Sequence, residues 1–451
     1  MVKFHSTNLR TPDVDFKTAV LRGQALDKGL YMLNEFPRLN YDEIYSFKNL
    51  RPDEIGFVVI SKIIGDEIIE EDLKKILKTS LNFDVPIEEI GEENYICFLD
   101  QGPTASFKDF GARTLAHIME YLLEMEDKNA VILTATSGDT GSAVAQAFYD
   151  MKRIKVIVLF PKDEVSELQR KQMTTLGKNI TTLGIYGKFD DCQDFVKFAF
   201  ADKDLKQYNL TSANSINLGR LLPQIIYYFL SYAQVIEEKK EQVIYSVPSG
   251  NFGNLMGGLI AFKMGLPVKK FIAAVNENDE FPKLLETEIY KKVKPSKKCI
   301  SNAMNVGHPS NLARLIDLYG GHMDETGKMH SKPNFKAIRN DIASYSISDT
   351  LTKKTIVDFY NDYNKIIEPH GAVGWAALQL FRNENSNLKG LKSIVFETAD
   401  PAKFPDNIVS LIKIKPKLPN SLKKIKNKSE FPNPIEINKY EDFKLFLLKN
   451  L

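Results

Sequence analysis

From residue 130 onward the chain repeats one unit: a short apolar run, a polar loop, then a stretch with apolar residues at helical spacing. AVILTAT (130–136) leads through SGDTG into SAVAQAFYDM. KVIVLFP (155–161) leads into VSELQRKQMTTLG, and NITTLGIYG (179–187) into DDCQDFVKFAFAD. QVIYSVP (242–248) is followed by SGNFGN and LMGGLIAFKMG, then by KFIAAVN (270–276), and SIVFET (393–398) is a late run of the same kind. Strands alternating with helices at this spacing predict right-handed βαβ units and parallel sheet, an α/β fold. In open sheets of this type ligands sit outside the carboxyl ends of the strands. Three polar loops hold that position: Ser137–Gly141, Ser249–Asn254 and Thr398–Lys403. Their coincidence points to one site.

With 451 residues, the chain exceeds the roughly 250–300 that one hydrophobic core serves, so more than one lobe is expected. Residues 1–90 read as a separate, mostly helical lobe, with helical spacing over Asp53–Gly65 and Glu70–Leu81. Residues 91–410 carry the α/β pattern, and 411–451 read as a tail. In that tail a Lys- and Pro-rich surface connection, Lys413–Lys428, precedes a docking helix in YEDFKLFLLKN. A net charge of +2 gives no reason to expect nucleic acid or a membrane surface as partner. Cys97, Cys192 and Cys299 are too few and too scattered for a disulfide framework or a zinc site, so no metal is expected. The N-terminal stretch has acids and no apolar core of a signal, and no apolar run approaches the roughly 20 residues of a membrane span. A cytoplasmic enzyme is the default expectation.

Taken singly, the polar segments are ambiguous. In SGNFGN, Gly250 and Gly253 let backbone approach an anion at a helix N-terminus, but such a loop is more often only a turn. It lacks the pattern of a nucleotide P-loop, so a bound phosphate need not be ATP. TSGDTGS offers hydroxyls at Ser137, Thr140 and Ser142 for a carboxylate or phosphate; it also reads as an N-cap cluster starting a helix at Ser142. Lys108, between Phe107 and Asp109, reads as a surface lysine, or as one in an apolar pocket where desolvation frees the amine for covalent chemistry.

Together, the order SFKDFG, SGDTG, SGNFG, ETADPAKF resembles the type II pyridoxal-phosphate enzymes of the tryptophan synthase β-like superfamily, and in detail the threonine synthase family. The resemblance covers nearly the whole chain. It includes FKTAVLRGQALDKGLYML, GPTASFKDFGAR, LTATSGDTGSAVAQAF, LTSANSINLGRLLPQ, YSVPSGNFGNLMGGLIA, SNAMNVGHPSNLARL, EPHGAVGWAAL and ETADPAKFPD. The N-terminal lobe points to the bacterial and fungal branch. The resemblance implies a fold of two parallel-sheet lobes plus the N-terminal lobe, and pyridoxal 5'-phosphate as cofactor. By position it makes Lys108 the catalytic lysine that carries the cofactor. Ser249, Gly250, Asn251, Phe252, Gly253 and Asn254 would cradle the cofactor phosphate. Asp139 would lie near the ring hydroxyl, where many relatives have asparagine. Thr398, a neutral hydroxyl, would donate or accept a hydrogen bond at the pyridine nitrogen. Ser137 and Thr140 would hold the substrate carboxylate, and Asn214, Ser215 and Arg220 the substrate phosphate. His370 reads as a buried structural histidine, with a place near the site as the alternative. Where the family usually has histidine in its Thr-Ala-His-Pro-Ala-Lys-Phe motif, this chain has Asp400, read as a brace of the turn.

The implied reaction converts O-phospho-L-homoserine and water to L-threonine and phosphate. The alternatives are lysis of the same substrate to 2-oxobutyrate, or a catalytically silent binding protein. Monomer and homodimer both stay open.

Overall fold

The computed structural model describes residues 2–430 and 435–451. Its strands form two mainly parallel sheets. The first has six strands in the order Ile342–Ser346, Val268–Val275, Val243–Pro248, Ser393–Glu397, Asn94–Phe98 and Ile87–Glu89. Only the last pair runs antiparallel. The second has five parallel strands in the order Ile435–Ile437, Ile180–Ile185, Ile154–Pro161, Ala130–Ala135 and Leu210–Thr211. Every residue of Ala130–Ala135, Val243–Pro248 and Ser393–Glu397 is buried. Strands covered on both faces need continuous rather than alternating apolar runs, which is why these three stand out in the sequence.

The first ninety residues carry helices Phe16–Arg22, Tyr41–Ser46, Pro52–Ile64 and Glu70–Ser80, with the ribbon Phe4–Ser6 and Tyr31–Leu33. The helix over 70–80 is strongly amphipathic and buries Leu73, Ile76 and Leu77. The apolar side chains of this lobe continue without a break into the rest of the protein. A Cβ at Gly56 would lie 3.1 Å from Ile226 Cδ1, so glycine lets its helix lie close to the side chains of Ile226–Val235. In the tail, residues 431–434 lie outside the described residues. The Lys-rich connection contains a short helix, Asn420–Lys426, that buries Leu422. Helix Tyr440–Asn450 packs Phe443 and Leu447 onto the five-stranded sheet. The sequence reading had no signal for Ile435–Ile437, a three-residue edge strand beside Ile180–Ile185. Among the described residues no helix is long and apolar enough to cross a membrane.

Candidate active site

The carboxyl ends of the two sheets meet around Lys108. Residues 102–107 reach it through a tight turn in which buried Asp109 accepts from Thr104 N and Thr104 Oγ1, both at 2.8 Å. A Cβ at Gly102 would come within 2.3 Å of Asp109 Oδ2, so glycine is required there. The turn is zippered to the loop after Ser393–Glu397: Phe107 N donates to Thr398 O and Asp400 N to Ala105 O. Lys108 is therefore not a surface lysine. It opens helix Lys108–Met125, half-buried. Desolvation lowers its amine to about 8; neighbouring Lys403 and Arg220 add to the fall, while Asp139 and Glu368 oppose it. An amine in that range is part neutral near physiological pH and available as a nucleophile or base.

Asp139 comes from the other sheet. It is the first residue of helix Asp139–Ala147, after Gly138 at φ 136°. The predicted helix start at Ser142 is thus corrected to Asp139. Ser142 sits inside the helix and donates to Gly138 O, while Thr136 Oγ1 accepts from Gly138 N and Gly141 N and braces the loop. Ser137 and Thr140 are half-buried beside it. Asp139 Oδ1 lies 2.6 Å from Lys403 Nζ and accepts from Gln169 Nε2 at 3.0 Å. Burial opposes its charge, but Lys403 and Lys108 hold its carboxyl far below the usual range. Lys403 is fully buried and also donates to Thr104 O at 3.0 Å. This ion pair joins the loops of the two sheets. The sequence placed Lys403 in a site loop but gave it no role, and Gln169 had no motif to mark it.

The glycine loop follows Val243–Pro248 and opens helix Gly253–Lys263. Its backbone presses on a neighbouring segment: a Cβ at Gly250 would be 2.7 Å from Met304 Cα. Ser249 Oγ donates to Asn254 Oδ1, and Asn254 Nδ2 to Pro248 O, so both side chains brace the loop. Phe252 takes the left-handed conformation (φ 60°) and buries its ring edge-on against Phe281. Its side chain belongs to the core, leaving only its backbone for a ligand. Asn251 Nδ2 donates to Ser215 Oγ at 2.5 Å, which ties this loop to the segment 212–217. Arg314, fully buried, donates to Tyr31 O, Ser215 O, Ile216 O and Asn311 Oδ1 and fixes that segment from behind. Arg220 is buried, donates through Nη1 to Ala213 O at 2.8 Å, and has no partner at Nε among the described residues. Burial lowers its guanidinium to about 10. Asn214 Oδ1 is likewise unpaired.

Thr398 Oγ1 donates to Glu368 Oε1 at 3.1 Å, and Glu368 Oε2 accepts from His370 Nδ1 at 2.5 Å. His370 is buried and also lies in the network that reaches Thr398. Asp400 Oδ1 accepts from Ala402 N at 2.7 Å within its own turn.

A desolvated lysine beside a glycine loop that opens a helix suits an aldehyde cofactor bearing a phosphate, as in the pyridoxal-phosphate enzymes, and the buried polar atoms without partners at Arg220 and Asn214 leave donors and acceptors for a second ligand. Residues 83–398 match the family of pyridoxal-phosphate-dependent enzymes; residues 3–81 match the threonine synthase N terminus and 371–446 the threonine synthase C-terminal family. The chain is 38% identical to threonine synthase of Buchnera aphidicola (Acyrthosiphon pisum), covering 99% of this chain and 100% of that protein. The crystal structure of threonine synthase from Escherichia coli superposes with a TM-score of 0.88 at 34% identity, covering 100% of both chains. The pyridoxal-phosphate-bound threonine synthase from Brucella melitensis gives 0.91 at 29% identity over 99% of both. The chain belongs to the threonine synthase family, and pyridoxal 5'-phosphate is its cofactor.

Proposed function

We propose that the chain converts O-phospho-L-homoserine and water to L-threonine and phosphate, with the residue roles set out here. The family match over the full length carries the reading. Bound at Lys108, pyridoxal phosphate supplies an electron sink for charge developing on the substrate. Gly250–Asn254 would hold its phosphate through backbone N–H groups at the start of Gly253–Lys263, where free donors and the helix dipole favour an anion, with Ser249 bracing the loop through its N–H to Ala274 O. Asp139, kept ionised by Lys403, would hold the ring hydroxyl, and Thr398 the ring nitrogen. Ser137 and Thr140 take the substrate carboxylate. Arg220, with Asn214 and Ser215, would take the substrate phosphate, a task that suits a guanidinium's planar fork. The Lys108 amine would act as the general base that takes a proton from Cα and then from Cβ of the substrate. Arg220 steadies the phosphate as it departs from Cγ. Water then adds at Cβ, and proton return gives threonine.

The proposed division takes residues 1–90 as a flanking lobe, 91–410 as the catalytic body and 411–451 as a tail, with Ile87–Glu89 joining the edge of the six-stranded sheet. The three cysteines are all free and buried, which fits a reducing cytoplasmic setting. A product assay on O-phosphohomoserine tests the reading. Threonine and phosphate in equal amounts are expected; 2-oxobutyrate as the main product would replace it with lysis.

A further inference from the structure

Two groups that can only donate fix the direction of the side-chain amides between loops 212–217 and 249–254. The first is the completely buried Arg314, whose Nη1 reaches Asn311 Oδ1 at 2.6 Å. Asn311 Nδ2 therefore faces the other way and donates to Asn251 O at 3.0 Å. The second is Ser310 N, which reaches Asn251 Oδ1 at 2.5 Å. The opposite end of that amide, Nδ2, is thus the end that meets Ser215 Oγ, at 2.5 Å. The Ser215 backbone is held too, its carbonyl accepting from Arg314 Nη1 at 3.2 Å and Asn311 Nδ2 at 3.4 Å. Ser215 itself is half-buried beside the start of helix Gly253–Lys263, where a Cβ at Gly253 would lie 3.7 Å from Ser215 Cβ.

A serine hydroxyl has one hydrogen and two lone pairs. At Ser215 the Asn251 amide occupies a lone pair, and among the described residues the hydroxyl hydrogen meets no acceptor. Were the amide turned round, Asn251 Oδ1 would take that hydrogen and leave Ser215 only lone pairs to offer. We infer that Asn251 is a positioning residue for the substrate: its side chain fixes Ser215 as a hydrogen-bond donor, which suits an anion that carries only acceptors. The inference rests on the proposed assignment of Ser215 to the substrate phosphate. The oxygens of a phosphate dianion accept and do not donate, so a hydroxyl that leads with its hydrogen binds one and a hydroxyl that leads with its lone pairs repels it. Arg220 Nε, a donor without a partner among the described residues, is of the same kind. Asn251 thereby has two tasks: its backbone N–H stays with the cofactor loop, and its side chain serves the substrate segment.

The test is a double-mutant cycle on holoenzyme, with kcat/KM for O-phosphohomoserine read from phosphate release. Asn251→Asp keeps the acceptor for Ser310 N and puts a carboxylate oxygen where the amide donor was, which draws the Ser215 hydrogen to itself. Ser215→Ala removes that hydrogen. Each single variant should lower kcat/KM roughly ten- to a hundredfold, the loss of one hydrogen bond to a charged group. The aspartate also adds negative charge, and that part of its effect persists without the hydroxyl. The step Asn251→Asp should therefore cost at least roughly tenfold less in the Ser215→Ala background than in wild type. An equal cost in both backgrounds overturns the inference, because Asn251 then acts without Ser215. A Ser215→Ala variant that matches wild type overturns the underlying assignment of Ser215, and the inference with it. A wild type that releases no phosphate from O-phosphohomoserine overturns the proposed reaction itself, before any variant is compared. If Asn251→Asp does not fold or hold the cofactor, Asn251→Ala takes its place. Its hydroxyl partner is then free to turn among three staggered positions, so a loss of roughly threefold is expected in wild type and none in Ser215→Ala; equal losses again overturn the inference.

Discussion

The wall formed by loops 137–141 and 398–403 is built from buried charge: Asp139 against Lys403, and Glu368 against the His370 ring. The wall formed by 212–217 and 249–254 is held without an ion pair: Asn251 is bonded to Ser215 and Ser249 to Asn254, Gly250 lies in close backbone contact, and the buried guanidinium of Arg314 donates only to uncharged oxygens. The difference follows from what each wall faces. A phosphate brings its own charge, so its cradle needs donors and space. The ring and the Lys108 amine must be held in chosen protonation states, and fixed charges in a poorly solvated setting do that most strongly.

Removing the amine gives the largest effect and tests whether the two walls act separately. Lys108→Ala should lower threonine formation on the order of 10³-fold or more, since a positioned general base alone contributes roughly 10²–10⁴-fold. The wall of 212–217 and 249–254 should still bind pyridoxal phosphate, now without a covalent link. Borohydride reduction and peptide mapping of wild type should place the pyridoxyl group on Lys108; a label on another lysine would refute the assignment.

Breaking the charged wall comes next. Lys403→Met leaves Asp139 buried without its ion-pair partner, with Gln169 still donating to it, a loss approaching roughly 3–5 kcal/mol. The denaturant midpoint of the apoprotein should fall, and adding Asp139→Asn should restore most of it, because both charges are then gone. A single Lys403→Met variant as stable as wild type would show that the pair contributes nothing.

Beside the wall of 212–217 the corresponding probe is Arg220, which donates to Ala213 O. Arg220→Ala should cost about 1.5–3 kcal/mol of charge-assisted hydrogen bonding, a roughly ten- to hundredfold fall in kcat/KM for O-phosphohomoserine, with cofactor affinity unchanged. Weakened cofactor binding with normal substrate use would move Arg220 to the cofactor phosphate.

The Lys108 amine, lowered to about 8, gives a pH dependence with a definite sign. Only the neutral amine captures the aldehyde, so the rate of cofactor uptake by apoprotein should rise as pH increases through about 8 and then level off. A rise continuing to pH 10 would mean that the amine is not desolvated in solution.

The sequence made the glycine loop and the sheets legible because both depend on local rules: apolar runs mark buried strands, and Gly250 and Gly253 mark a loop that opens a helix. Lys403 and Gln169 were not legible as partners of Asp139, because nothing near them in sequence signals a contact with residue 139. The Ser142 error has a local cause: Thr136 braces the loop two residues before Gly138 and lets the helix begin at Asp139. The strand Ile435–Ile437 is three residues long, too short for alternation to register.

Asp400 is where the two walls should differ least in effect, and it tests whether the charged wall tolerates change. Its carboxylate accepts from Ala402 N and caps the turn Pro401–Lys403. Histidine at this position can accept from the same N–H through a ring nitrogen, and Asp400 is only half-buried, so the larger ring has room. Neither Asp139 nor Glu368 hydrogen-bonds to it. Asp400→His should therefore leave turnover within about threefold, well under 1 kcal/mol in barrier height. One consequence should still be visible. Asp100 is raised to about 6, chiefly by burial, with the negative charge of Asp400 contributing. Replacing that charge should let Asp100 ionise at lower pH, which its carboxyl 13C titration would report. If Asp100 shifts as expected and turnover holds, Asp400 acts on its neighbours without touching the chemistry. A change in turnover beyond roughly tenfold, about 1.4 kcal/mol, would place Asp400 in contact with the substrate.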